Sequence, residues 1–213
     1  MFITGDHIMT KIIPLPLTDP IQGLREFPYI TTTERTAKHS DVFLDGDIDE
    51  PSDYRELIAI LFNAMEYDTV NIFINSPGGN LDTALSIIEG IRNSPAYVSA
   101  FLIGACHSAA SMIALTCDQL IITDSANMLV HSASFGSAGT TGNVKSHTDF
   151  VVKQTNKLLD HIYEGFLSKE EIEDVKLGVE LWLDAGEIKK RIQKRLELME
   201  SRAKKVNKKN KKS

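Results

Sequence analysis

An α/β architecture with a mostly parallel sheet and flanking helices is what this sequence predicts, on three observations. TVNIFINS (69–76) and YVSAFLIGA (97–105) are short, near-continuous runs rich in β-branched and aromatic residues. Strands that read this way are apolar on both faces, as in a sheet covered by helices. Stretches with apolar residues at helical spacing lie between and after them. Strand and helix patterns alternate along the chain, the order that produces βαβ crossovers.

Residues 1–36 hold Pro14, Pro16, Pro20 and Pro28 and a TTTERT run, so they read as an irregular N-terminal arm. VFLDGDI (42–48) reads as a first core strand ending in a turn. In EPSDYRELIAILFNAMEY, Asp53 and Glu56 have capping-box spacing, and Leu57, Ile60, Leu61 and Ala64 form an apolar stripe, which predicts a helix. PGGN breaks the strand 69–76, and Leu81, Ala84, Leu85, Ile88 and Ile91 then recur at helical spacing. After the strand 97–105, SAASMIALTCD reads as a short helix, and QLIITD and NMLVHSAS as two strands. SFGSAGTTGN (134–143) is a Gly/Ser/Thr loop. A longer helix follows, with Leu158, Leu159, Ile162, Tyr163 and Phe166 on one face. Ser168 with Glu171, and Asp184 with Glu187, have the spacing of helix starts.

The 213 residues, 42% of them apolar, suit one domain with a real core. No stretch approaches the ~18–20 unbroken apolar residues of a membrane span. The opening MFITGDHIMTKIIPLPL has no basic leader, and prolines break its apolar run, so it does not read as a secretory signal; Met9 is an alternative start. Cys106 and Cys117 lie in apolar surroundings without CxxC spacing, which points to a reducing, cytoplasmic setting. The histidines make no HExxH or similar pattern, so a metal site is not expected, and the serine chemistry considered next requires neither a metal nor an organic cofactor. Residues 201–213 carry seven Lys/Arg and no acid, and read as a solvated, disordered tail. No aromatic residue is interleaved there to stack on bases, which argues against a specific nucleic-acid site. The expected organisation is an arm over 1–36, a domain over 37–199 and a basic tail over 200–213.

Acyl transfer by a serine needs a base in hydrogen-bond reach, a group to orient that base, and backbone N–H donors for the oxyanion. Two junctions offer donors. NSPGGN has adjacent glycines that allow close backbone approach. GACHSAASM (104–112) lies where a strand turns into a helix, and helix-start amides favour developing negative charge. On this reading Ser111 is the nucleophile and Met112 supplies an amide. Ser108, three residues earlier, matches it in composition and reads as a packing or backbone-bonding serine of the connection. His131 ends an apolar strand and is the preferred base over His107, because triad members come from separate elements.

These segments resemble the Clp-type serine peptidases, and especially their phage-type relatives that include head-maturation proteases. FINSPGGNLDTALSI is similar to the family's strand and glycine turn, GACHSAASMIALTCD to its nucleophile segment, and NMLVHSAS to its histidine segment. GTTGN with the long helix is similar to the family's loop and protruding handle helix, here about 144–166, and VELWLDAGEI to its closing segment. The likeness covers roughly residues 40–195. It implies a Clp/crotonase-type α/β fold with Ser111 as nucleophile, His131 as general base, and the amides of Gly79 and Met112 as the oxyanion hole. The third position, usually aspartate, falls on Glu180, with Asp174 and Asp184 as rivals.

The resemblance further implies a serine endopeptidase acting on proteins or peptides as a homo-oligomeric ring, fed by a partner ATP-driven (AAA+) unfoldase. No GxxxxGK[ST] is present, so any energy coupling would come from that partner. The alternatives are an ATP-independent capsid maturation protease and an inactive scaffolding ring subunit. An acyl-thioester enzyme of the same broad fold is a further rival, which SAASM and LVH argue against. Ser111→Ala is expected to abolish hydrolysis; loss with Ser108→Ala instead would move the nucleophile by one helical turn.

Overall fold

Parallel pairing through helical crossovers builds the sheet. The structure, a computed structural model, describes residues 36–210, so nearly all of the arm and the last residues of the tail lie outside the described residues. One compact unit begins at Lys38. Strands β1 (His39–Leu44), β2 (Thr69–Ser76) and β3 (Tyr97–His107) lie side by side in parallel. Helices α1 (Arg55–Asn63) and α2 (Leu81–Asn93) make the crossovers. The far edge of β3 serves two neighbours: Ser99–Leu102 pair with β4 (Gln119–Ile122), and Ala105–His107 with β5 (Asn127–Val130). The short helix α3 (Ala109–Ala114) connects β3 to β4. Antiparallel β6 (Leu181–Asp184) pairs with β5, completing a six-stranded, mostly parallel sheet.

Alternation along each strand decides what is buried. Val70, Ile72 and Ile74 of β2 and Val98, Ala100 and Leu102 of β3 are buried, and they share one core with Leu57 and Leu61 of α1 and Ile87 and Ile88 of α2. The opposite face differs from the two-sided burial expected. There Phe43, Phe73 and Phe101 stand in register on adjacent strands and stack at centroid distances of 4.9 and 4.7 Å, and Phe43 is 61% exposed. Cross-strand aromatic pairing stabilises such a partly exposed face.

Helix starts follow their local chemistry. Asn80 Oδ1 accepts from the amides of Asp82 and Thr83 at 2.9 and 3.1 Å, starting α2 directly after the glycine turn. Ser168 and Glu171 form the expected reciprocal box at α5 (Lys169–Lys176), with bonds of 3.1 and 2.8 Å. Asp184 Oδ1 accepts from the Glu187 amide at 2.8 Å at the start of α6 (Ala185–Asn210). The box expected from Asp53 and Glu56 does not form. Pro51 instead opens a 3₁₀ turn, Pro51–Tyr54, and α1 begins at Arg55 without a side-chain cap.

Helix α4 (Thr141–Ile162) starts at a Thr140 cap, and its only buried residues are Leu159 and Ile162. The preceding turns stand clear of the core, with Phe150 60% exposed, as a protruding helix requires. It ends four residues before the expected 166, with Tyr163 as C-cap. Helix α6 runs on to Asn210, so most of the tail expected to be disordered is helical. Lys, Arg and Ala are good helix formers, no Gly or Pro interrupts them, and Lys204 pairs with Glu200 one turn away at 3.5 Å. Among the described residues, no helix is long and apolar enough to cross a membrane.

Candidate active site

Ser108 is the single residue between β3 and α3, and it has φ 53° and ψ −122°. Among the described residues it is the only non-glycine with positive φ. A conformation of this kind costs about 1–3 kcal/mol and persists only where its surroundings impose it. Those surroundings are specific. The Ser108 amide donates to the Leu129 carbonyl of β5 at 2.8 Å. The Ser108 carbonyl accepts from the amides of Ser111 and Met112 at 3.0 and 3.3 Å and from Ser111 Oγ at 2.7 Å. The side chain is partly exposed.

The glycine turn after β2 packs against this junction. Gly78 and Gly79 have φ 94° and 149°. A Cβ on Gly78 would lie 2.8 Å from Ser108 Cβ and 3.0 Å from the Ala109 nitrogen, so only glycine admits the approach. The turn is held from its other side: the Ile48 amide donates to Gly78 O at 2.8 Å, and the Asn80 amide to Ile48 O at 2.6 Å. The Gly78 amide donates to Ser76 Oγ at 3.1 Å. The amides of Gly79 and Ala109, the residues directly after Gly78 and Ser108, are left without an acceptor among the described residues. That arrangement suits an oxyanion forming at Ser108.

Ser111 and Met112 are placed differently from what their spacing suggested. Ser111 lies inside α3 and is 0% exposed. Its hydroxyl is engaged on both sides, by the Ser108 carbonyl and, at 2.6 Å, by Tyr163 Oη. Burial holds the Tyr163 phenol well above its ordinary pKa, so it stays protonated. The Met112 amide is spent on the first helical turn. The partly exposed serine and the open amide of this segment are therefore Ser108 and Ala109. The physical cause is where β3 stops: pairing with β5 carries it to His107, two residues beyond the expected end.

His131 follows β5 directly and is partly exposed. The bond from Ser108 to Leu129 ties the junction to β5 two residues before it. In the β5–β6 ladder Leu129 is opposite Trp182 and Val130 opposite Leu181. The ladder ends there, and His131 and Glu180 are the next residues beyond it on the two strands. The Glu180 carboxylate accepts from Trp182 Nε1 at 3.2 Å. Of the rivals, Asp184 stands opposite Asn127 at the other end of the ladder and caps α6, and Asp174 is exposed on α5. His107 Nε2 bonds Asn127 Oδ1 at 2.6 Å, and its ring stands edge-on to Trp182 at 5.1 Å, which anchors the end of β3.

Cys106 and Cys117 are buried free thiols, and burial holds both far above the range in which a thiol reacts as thiolate. Among the described residues, no group of three or more His, Cys, Asp or Glu side chains could hold a metal ion. A family model described as Clp protease matches residues 25–191, a span that includes the glycine turn, both serines, His131 and Glu180.

Proposed function

The chain belongs to the Clp protease family, a family of serine peptidases, and on that premise we propose that it is an endopeptidase with Ser108 as nucleophile and His131 as general base. Ser108 Oγ attacks the scissile carbonyl while His131 takes its proton. The tetrahedral oxyanion lies between the amides of Gly79 and Ala109. His131 then protonates the leaving amine, and water hydrolyses the acyl-enzyme by the same route. Glu180 orients His131, its carboxylate turning from the Trp182 indole to the imidazole on assembly or substrate binding.

The observation that carries this reading is the strained, partly exposed Ser108 packed against Gly78, with Ser111 enclosed behind it. A residue held at a costly φ between a strand and a helix has the logic of a nucleophile elbow. The family implies protein substrates and oligomeric rings. We further propose that the projecting turns of α4 join ring to ring, and that an AAA+ unfoldase feeds the chamber.

A fluorophosphonate probe with peptide mapping tests the assignment. The adduct is expected on Ser108. Ser108→Ala is expected to lose labelling and to lower peptide hydrolysis by about 10³-fold or more, while Ser111→Ala still labels. Labelling that survives Ser108→Ala and vanishes in Ser111→Ala would return the nucleophile to Ser111. The engagement of Glu180 by Trp182 favours one second reading, a scaffolding subunit without activity. An assembled ring that forms no adduct would establish it.

A further inference from the structure

Ser111 takes no part in bond making on this reading, yet its hydroxyl sits in a short polar chain inside an apolar core. A serine hydroxyl has one proton to donate. The Ser108 carbonyl can only accept, so that proton goes to it, across 2.7 Å. The Ser111 oxygen then accepts from the Tyr163 phenol at 2.6 Å. The chain runs from Tyr163 O–H to Ser111 Oγ–H to the Ser108 carbonyl. Tyr163 is 1% exposed and comes from the end of α4, 52 residues away in sequence. Among the described residues its hydroxyl has no other partner.

The carbonyl at the end of this chain belongs to the peptide group whose N–H is that of Ala109. A trans peptide is planar, with C=O and N–H pointing in opposite directions. Three donors that draw the Ser108 carbonyl into the core therefore aim the Ala109 N–H away from it, toward the glycine turn. They also oppose rotation of this peptide, the motion that would relieve the strain at Ser108. Donation to the carbonyl polarises the same amide and makes its N–H a better donor.

We propose that Ser111 and Tyr163 are positioning residues that hold the Ser108–Ala109 peptide in the orientation required by the oxyanion hole. This rests on Ser108 being the nucleophile. Backbone donors supply two of the three bonds to the carbonyl, so losing the hydroxyl weakens the hole without abolishing it.

The test uses the full-length protein with four variants, read by peptide hydrolysis, probe labelling with adduct mapping, and thermal melting. Ser111→Ala is expected to lower kcat about tenfold, the scale of one net hydrogen bond, with KM little changed and the adduct still on Ser108. It also leaves the Tyr163 hydroxyl buried without a partner and so lowers the melting temperature. Tyr163→Phe is expected to lower kcat by about two- to threefold, through the lost polarisation alone. The double variant removes the orphaned hydroxyl. Its melting temperature is expected to rise above that of Ser111→Ala while kcat stays low. Thr116→Ala, which removes a hydroxyl bond from just past the end of α3 to its Met112 carbonyl, is expected to leave kcat unchanged.

An unchanged kcat in Ser111→Ala, or a kcat that recovers together with stability in the double variant, overturns the positioning role and leaves the Ser108 assignment standing. An adduct on Ser111, with complete loss of labelling in Ser111→Ala, overturns the Ser108 assignment instead. If Ser111→Ala does not fold, the comparison of Tyr163→Phe with wild type decides, and an unchanged kcat there overturns the proposal.

Discussion

Gly79 meets a geometric demand that no side chain can. Its φ of 149° lies where L-residues are strained, and a Cβ there would run into the Ile48 backbone. Gly79→Ala is expected to lower stability by about 2 kcal/mol and, on the proposed mechanism, in which the same residue donates an oxyanion amide, to lower kcat/KM by at least about tenfold. Urea denaturation and peptide hydrolysis on the same samples check both effects. An alanine variant with normal kcat/KM would remove Gly79 from the hole. At this scale the glycine turn was legible in the sequence, since PGGN breaks a strand pattern just before a helical one. The choice between Ser108 and Ser111 was less so. Both stand in the same small-residue run, and only the helix start separates them: Ser108 precedes it, and Ser111 lies inside the first turn, facing the core. What supports the proposal of Ser108 is its placement at the connection itself, which from sequence reads as packing.

The α5–α6 junction shows how elements lock together. Glu171 caps α5 through Ser168 and forks to Arg191 of α6, with bonds of 2.9 and 2.7 Å. Arg191 also reaches Glu187 at 2.8 Å, one turn earlier in its own helix. The Arg191 guanidinium, helped by Ser168, lowers the Glu171 pKa to about 2 from an ordinary value of 4.5. A carboxylate with a depressed folded-state pKa stabilises fully above its unfolded pKa, and this contribution is lost as pH falls through the folded value. Glu171→Gln is therefore expected to lower stability by about 2 kcal/mol at pH 7. Its difference from wild type should shrink between pH 4.5 and about 2. Urea titrations of both proteins across that range measure it; a difference independent of pH would show that the charge is not what matters. Ser168 with Glu171 was readable as a cap from spacing. The arginine was not, because it arrives from a helix 20 residues on.

At the scale of the whole molecule, the apolar side chains that the described unit leaves exposed fit an assembly. Phe150 and Val152, 60% and 43% exposed, stand on the projecting part of α4. If α4 joins the rings, Phe150→Glu is expected to halve the mass of the assembly in sedimentation, leaving single rings. A full-mass particle would place the contact elsewhere. The aromatic ladder of Phe43, Phe73 and Phe101 marks a second incompletely covered surface, on the sheet. Its strands read as apolar on both faces, and sequence alone does not say whether helices or water meet the second face.

What the sequence determined by itself was the alternation of strands and helices, the glycine turn and the class of chemistry. These depend on periodicity, punctuation and short motifs, which are local. Tertiary structure alone decided which serine stands at the strand-to-helix turn, which is enclosed, and what holds each. That outcome depends on how far β5 draws β3 forward before the helix begins, and on a tyrosine 52 positions downstream that closes over the other serine.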